Sequence, residues 1–185
     1  MAKLDRETIV VEALDLLDDL GLAEVSTRRL AKRLGVEQPS LYWHFPNKNA
    51  LLSAMAEAVM AVHATAPLPT PGDDWREWLL ENSRSFRRAL LMHRDGARLH
   101  AGSRPQGEDL SRALHKFQFL VSSGLSERDA RLAMLTISQF TVGSVLEEQA
   151  ATEAGNAADG GLDHAEAFED GLTLIVDSLV SRADR

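Results

Sequence analysis

Gln38, Ser40, Tyr42, Trp43 and His44 bring an amide, two hydroxyls, an indole and an imidazole to one short stretch of chain. Such groups can hydrogen-bond to base edges in a duplex groove and hold phosphate oxygens. The stretch reads as a helix of seven residues. Pro39 stands at its start, with φ already set for a first turn. Leu41 and Phe45, four apart, face inward and leave the polar and aromatic groups to point elsewhere. A short helix with that free face is a poor core element and a good reader. A second element must hold it. Ser26 or Thr27 can cap a preceding helix by accepting orphan backbone N–H groups. Leu30, Ala31 and Leu34 give that helix one apolar face. Gly35 follows at the position where positive φ is cheap only without a Cβ, and Val36 plugs the turn. Residues 26–48 are therefore two helices joined by a tight turn, the second shaped to enter a major groove.

Charge agrees with this. Residues 26–48 carry Arg28, Arg29, Lys32, Arg33 and Lys48 against the single acid Glu37, whereas the 185-residue chain has a formal net charge of −8. A basic island in an acidic protein is a localised footprint for a polyanion, and the acidic remainder argues against general nucleic-acid coating. Several residues have two readings. Arg28 is a solvated surface charge or a base contact. Gln38 caps the helix or pairs with adenine N6 and N7. Pro39 starts the helix, and its ring can also touch a thymine methyl. Tyr42 is a core residue or reaches a phosphate or base, and the second is favoured because Leu41 and Phe45 already fill the inner face.

The periodicity predicts an all-α chain. Ile9, Ala13, Leu16, Leu17 and Leu20 mark a first helix closed by Gly21. Asn47 caps a helix over about 48–63, and Asp73 or Asp74 caps one over about 75–93. Helices follow at about 109–123 and 126–150, the latter capped by Ser126. Gly96, Gly102, Pro105 and Gly107 predict short turns over 94–108, a candidate pocket wall, and residues 151–161 read as loose. In the last helix Ala165, Phe168, Leu172, Ile175 and Leu179 recur at heptad steps. That seam is either packing within one subunit or a subunit interface. The expected division is a DNA-reading domain over 1–47, a connecting helix over 48–63, and a larger helical domain over 64–185. There is no cysteine, so disulfides, a thiol nucleophile and Cys-ligated zinc are excluded. No apolar run approaches the ~18–20 residues of a membrane span, and no signal peptide is visible, so the expected location is the cytoplasm with no membrane partner.

The run Ser26 to Lys48 strongly resembles the DNA-binding domain of TetR-family transcriptional repressors. Asn82-Ser-Arg-Ser-Phe-Arg-Arg-Ala-Leu-Leu91, Arg94-Asp-Gly-Ala97, His100, Arg104-Pro105, Phe140-Thr, Gly143 and Val145-Leu-Glu147 continue the likeness into the inducer-binding core of that family's tetracycline-responsive branch. The resemblance implies a homodimeric repressor of double-stranded operator DNA, released by a small polycyclic or aromatic effector. It places Arg28 on a guanine and makes Thr27, His44 and Lys48 backbone clamps beside the readers Gln38, Pro39, Ser40, Tyr42 and Trp43. It implies an effector set of His63, Asn82, Phe86, His100, Ser103, Arg104, Pro105, Lys116, Ser138 and Glu147. No cofactor is obligatory, but magnesium arriving with a chelating ligand would use His100 and Glu147. The alternative readings are a partly buried, satisfied histidine and a solvated carboxylate. The resemblance also assigns Phe168, Leu172, Ile175 and Leu179 to the dimer interface. Two positions depart from the pattern: Ala64 replaces a ligand-contacting histidine and Lys116 a glutamine. The stretch between Gln149 and the last helix is also shorter than the family's pocket lid. Tetracycline with magnesium is one candidate effector, and another planar ligand, or none, is the other.

Rival classes are weak. No His-Glu-x-x-His, Gly-x-Ser-x-Gly or phosphate loop occurs, so no enzyme is expected. A helical dimer whose basic segment meets an acidic protein is the third reading. Sequence preference among duplexes separates it from a DNA reader.

Overall fold

Asp5 opens the first helix, α1 (Arg6–Leu20), by accepting the Thr8 N–H at 2.8 Å. The structure is a computed structural model and describes residues 4–101, 107–155 and 163–183. Ile9, Val10, Ala13, Leu14, Leu16 and Leu17 bury one stripe of α1. Leu20, expected on that stripe, is 42% exposed because it ends the helix, past the residues its neighbours cover. A 3₁₀ turn (Leu22–Glu24) leads to α2 (Thr27–Leu34), where Ser26 caps the Arg29 N–H. Gly35 closes α2 in the left-handed region at φ 66°, returning its own N–H to the last turn while Val36 N–H reaches Ala31 O at 3.0 Å. A side chain there would be strained. The reading helix α3 (Gln38–Tyr42) has five residues rather than the expected seven. It stops early because the N–H groups of His44 and Phe45 both return to Leu41 O, folding Trp43 and His44 into a turn. Asn47 then caps α4 (Lys48–Ala64) through the Ala50 N–H.

Asp74 caps α5 (Trp75–Leu91) through the N–H groups of Arg76 and Glu77. The region expected to be turns contains α6 (Gly96–His100). Glycine begins it for a steric reason: a Cβ on Gly96 would lie 2.2 Å from the Leu90 carbonyl oxygen. α7 (Gly107–Ser122), α8 (Glu127–Glu153, capped by Ser126) and α9 (His164–Ala183) complete nine α-helices, with no strand among the described residues. α8 runs to Glu153, three residues beyond its expected end.

The chain forms two compact units, Met1–Ala61 with Ala89–Ser103, and Val62–Arg88 with Arg104–Arg185. The core of the first joins α1 to α4 through Ile9, Leu17, Val25, Leu30, Leu41, Phe45, Leu51 and Met55, all at most 1% exposed, and Leu99 of α6 belongs to it. Each large apolar side chain buried there contributes roughly 1.5–3 kcal/mol. The second unit builds a core from Leu79 of α5, Ala133 and Ile137 of α8, and Phe168, Leu172, Val176 and Leu179 of α9. A satellite cluster sits where α7 meets α8, around Phe119, Leu120, Leu125 and Ala130.

Candidate nucleic-acid interface and effector residues

The hairpin of α2 and α3 sorts its side chains by face. Leu30, Ala31, Leu41 and Phe45 are buried, whereas Arg28, Pro39 and Lys48 are exposed, Tyr42 is 46% exposed and Trp43 91% exposed. Tyr42 is thus not a core residue. Thr27, Gln38, Ser40 and His44 are half-buried at the rim. Gln38 makes no side-chain cap; Glu37 is the residue at the N-cap of α3. The Gln38 amide nitrogen instead donates to Thr27 Oγ1 at 2.9 Å and to the Tyr42 hydroxyl at 3.1 Å. That bridge ties α2 to α3 through three of the reading residues and fixes their relative positions before any duplex arrives, which lowers the ordering cost of binding.

The cations of the basic island divide into two groups. Arg33 bonds Glu12 at 3.0 Å and Asp19 at 2.5 Å, and Arg29 pairs with Glu24 at 2.5 Å. The hydrogen bonds that Arg33 donates to Asp19 and Glu12 raise its pKa further. Arg28, Lys32 and Lys48 make no ion pair among the described residues, so these three are left to meet phosphates or bases. Arg6, which no local pattern marks, holds the end of the candidate reading segment. Its guanidinium donates to His44 O at 3.1 Å and lies 4.3 Å from the centroid of the Phe45 ring.

Within this first unit the segment 93–98 is latched to α1 and the 3₁₀ turn. Asp18 accepts from the Arg94 N–H and bonds His93 Nδ1, both at 2.8 Å. Asp95, 5% exposed and at φ 57°, accepts the Leu22 N–H at 2.7 Å and pairs with Arg98 at 2.9 Å. A non-glycine residue in the left-handed region costs about 1 kcal/mol or more, and the two bonds to a buried carboxylate offset it. His100 ends α6 half-buried, and loss of solvation lowers its pKa below the usual histidine value. That loss favours the neutral imidazole, the form in which a histidine ligates metals. Sequence reasoning missed Asp18, His93 and Asp95, whose pairing spans more than 70 residues of chain.

The second unit gathers some of the expected effector residues and not others. His63, at the end of α4, bonds Ser85 Oγ through Nδ1 at 3.1 Å and Lys116 Nζ through Nε2 at 3.4 Å. The Phe86 ring lies beside it, 5.4 Å between centroids. Asn82 is half-buried one turn before Phe86 on α5, and Ser138 is half-buried on α8. Glu147 is exposed; its neighbour Glu148 is half-buried and bonded to Arg87 at 2.5 Å. Ser103, Arg104 and Pro105 lie outside the described residues. Among the described residues no group of three His, Asp or Glu side chains is placed to hold a metal ion.

The expected dimer seam is used within one chain. Phe168, Leu172 and Leu179 are 1%, 0% and 5% exposed against α5 and α8, and Ile175 is half-buried beside them. Apolar side chains packed into their own subunit's core cannot also form a partner's contact surface. A different face stays uncovered. On α8, Leu132 and Leu135 are 40% and 55% exposed, and Gln139, Val142 and Leu146 continue their line at heptad steps. On α9, Leu174 is 73% exposed, on a face shared with the small residues Ala167, Gly171 and Ser178.

Comparison with known proteins gives a consistent result. The bacterial regulatory proteins of the tetR family match residues 9–55, and the tetracyclin repressor-like C-terminal domain matches residues 68–161. The class A tetracycline repressor from transposon 1721 of Escherichia coli is 46% identical over 201 residues, covering 98% of this chain and 93% of the relative. The class C repressor of Escherichia coli is 49% identical, covering 98% and 79%. The solved class A repressor in complex with 5a,6-anhydrotetracycline and magnesium superposes with a TM-score of 0.84 at 48% identity, covering 96% of this chain and 99% of that one. A TetR-family transcriptional regulator of Streptomyces coelicolor gives a TM-score of 0.77 at 60% identity, covering 97% of each.

Proposed function

As a member of the TetR family of bacterial transcriptional regulators, this chain is a ligand-responsive DNA-binding repressor acting as a homodimer, and we propose that its effector is a planar polycyclic molecule, with a tetracycline–magnesium complex the first to test. The observation that carries the DNA-binding part is the hairpin itself: Arg28, Pro39, Tyr42 and Trp43 project from a rigid apolar base. In the proposed roles Arg28, Gln38 and Pro39 read bases, Thr27, His44 and Lys48 hold the backbone, and Tyr42 reaches a phosphate or a base beside Ser40 and Trp43. One α3 covers few base pairs. Two copies about 34–36 Å apart read the half-sites of a palindrome.

The outward stripe Leu132, Leu135, Val142 and Leu146, with Leu174, is the proposed dimer face in place of the inward seam. Its supporting observation is exposure of large apolar side chains in register on two adjacent helices. Leu135→Asp should convert the dimer to monomer in sedimentation and abolish tight operator binding, while Phe168→Ala should lower stability by about 3–5 kcal/mol. A dimer that survives Leu135→Asp places the interface elsewhere.

The proposed functional division of the chain falls at residues 47 and 63. His63, Asn82, Phe86, Lys116 and Ser138 are the proposed effector contacts of the second unit. In the first, neutral His100 is the proposed donor to magnesium brought by a chelating ligand. With so few donors placed by the protein, the ligand's own oxygens and water must complete the shell. Magnesium would supply a Lewis-acidic anchor for the ligand's oxygens. The latch of Asp18 and Asp95 offers a route for the response, because a shift of α6 pulls directly on the turn before α2. A coupling of about 1–3 kcal/mol changes operator occupancy roughly 5–150-fold.

No catalytic step is proposed; the relatives are regulators. No described helix is long and apolar enough to cross a membrane, and the proposed location is the cytoplasm, where its DNA is. Selection of bound duplexes from a random pool, then a screen for ligands that release them, tests the whole reading. A palindrome released by a planar chelator is expected. Recovery of random duplexes, or release by no ligand, would overturn it.

A further inference from the structure

Lys116 reaches across from α7 to the end of α4, and its ammonium sits in an unusual setting. Its nitrogen is 3.4 Å from His63 Nε2, and His63 Nδ1 is 3.1 Å from Ser85 Oγ. A protonated lysine can only donate, so Nε2 accepts and Nδ1–H donates to the serine hydroxyl. The imidazole is thereby held in one tautomer beside the Phe86 ring. Arg112 stands one turn away on the same helix and donates to the Ala66 carbonyl. Neither cation makes an ion pair with a carboxylate among the described residues; Asp109 is the acid whose field reaches Lys116. Burial, and then the charge of Arg112, push the Lys116 pKa down to about 8. An ammonium removed from water beside a second cation is under-compensated, and an arriving anion restores the lost stabilisation.

We infer that the effector of this chain carries an acidic group, a carboxylate or an ionised enol or phenol on a planar ring system, which pairs with the Lys116 ammonium. The inference rests on the reading that the second unit takes a small-molecule effector, and it names that effector's charge. One face of the ligand lies against Phe86 and His63, the aromatic side of the cluster, while its acidic oxygen accepts from the lysine N–H groups that His63 leaves open. Lys116 is here a specificity-determining residue. A neutral ligand of the same shape leaves the half-buried ammonium without a counter-charge, which a site selects against more strongly than it rewards shape.

The test is a matched pair of probes, anthraquinone-2-carboxylate and anthraquinone-2-carboxamide, titrated into the full-length dimer by calorimetry. Quenching of Trp75 and Trp78, which belong to the same unit, gives a second signal. The acid should bind about 10- to 100-fold tighter than the amide. Lys116→Gln should erase the gap by weakening the acid alone, and Lys116→Arg should keep most of it. Equal binding of acid and amide to the native protein, no measurable binding of the acid at millimolar concentration, or a gap that survives in K116Q each overturns the inference. The native-protein comparison stands even where a variant folds poorly. Operator release is scored separately. Release by a neutral ligand, with no acid preference, sinks the inference and leaves the regulatory reading intact. Acid binding without release at any operator does the reverse.

Discussion

The two units treat their positive charges in opposite ways. In the reading hairpin Arg28, Lys32 and Lys48 are exposed and make no ion pair among the described residues, while Arg29 and Arg33 are neutralised by Glu24, Glu12 and Asp19. In the second unit Lys116 is drawn out of water against His63. A hydrated cation costs nothing to keep and attracts phosphate over a Debye length, so it suits a salt-dependent, partly non-specific partner. A dehydrated cation costs stability until its partner arrives, so it suits a rare and specific one. In the proposed reading one chain thus carries a cheap, long-range charge set for DNA and a costly, short-range one for a small molecule.

The contrast can be broken at its strong end first. Burial moves the Lys116 pKa from the usual 10.5 down to about 8, so between those pH values the unfolded chain still holds a proton that the folded chain has released. The unfolded state then binds more protons, and stability rises with pH across that window. Below about pH 8 the penalty is fully present. Lys116→Met should therefore be more stable than the native protein at neutral pH, by up to about 3 kcal/mol. That advantage should fade as pH approaches 10.5, measured as the difference between paired urea titrations. A constant difference across the window would mean that the lysine is well solvated.

Arg28→Ala comes next. It should leave the melting temperature unchanged and flatten discrimination at one base pair of each half-site by about 1–3 kcal/mol. Loss of affinity shared equally by every duplex would reassign Arg28 to phosphate. Arg33→Ala is the converse case. Its partners are already in place, so thermal stability should fall slightly while base preference stays, and a change in preference would show that Arg33 leaves its acids to meet DNA. The smallest effect belongs to Lys48→Ala, which should weaken all duplexes alike and reduce the salt slope by about one.

The same contrast explains what could be seen in the sequence. The reading hairpin is local: cap, apolar face, Gly35, Pro39 and free face fall within 23 consecutive residues from Ser26 to Lys48, so periodicity and turn chemistry suffice to find it. Even there the length of α3 was overestimated, because the bonds of His44 and Phe45 to Leu41 O depend on how the turn closes. The effector cluster joins α4, α5 and α7, and the chain's own pattern offered no reason to bring Ser85 and Lys116 to His63; only resemblance pointed at two of the three. The latch of Asp18 and Asp95 is invisible for the same reason. The heptad of α9 was found correctly as a pattern, yet a pattern does not say which neighbour it meets. Phe168 and Leu172 face their own α8, and the outer face was overlooked because small residues around Leu174 make it look unremarkable.

The most direct test of the account is the affinity of the purified protein for a selected palindrome beside a scrambled duplex of the same length, with stoichiometry read in the same titration. Two chains per duplex are expected, with the palindrome bound at least about a thousandfold tighter at physiological salt. One chain per duplex with equal affinity for both sequences would contradict it.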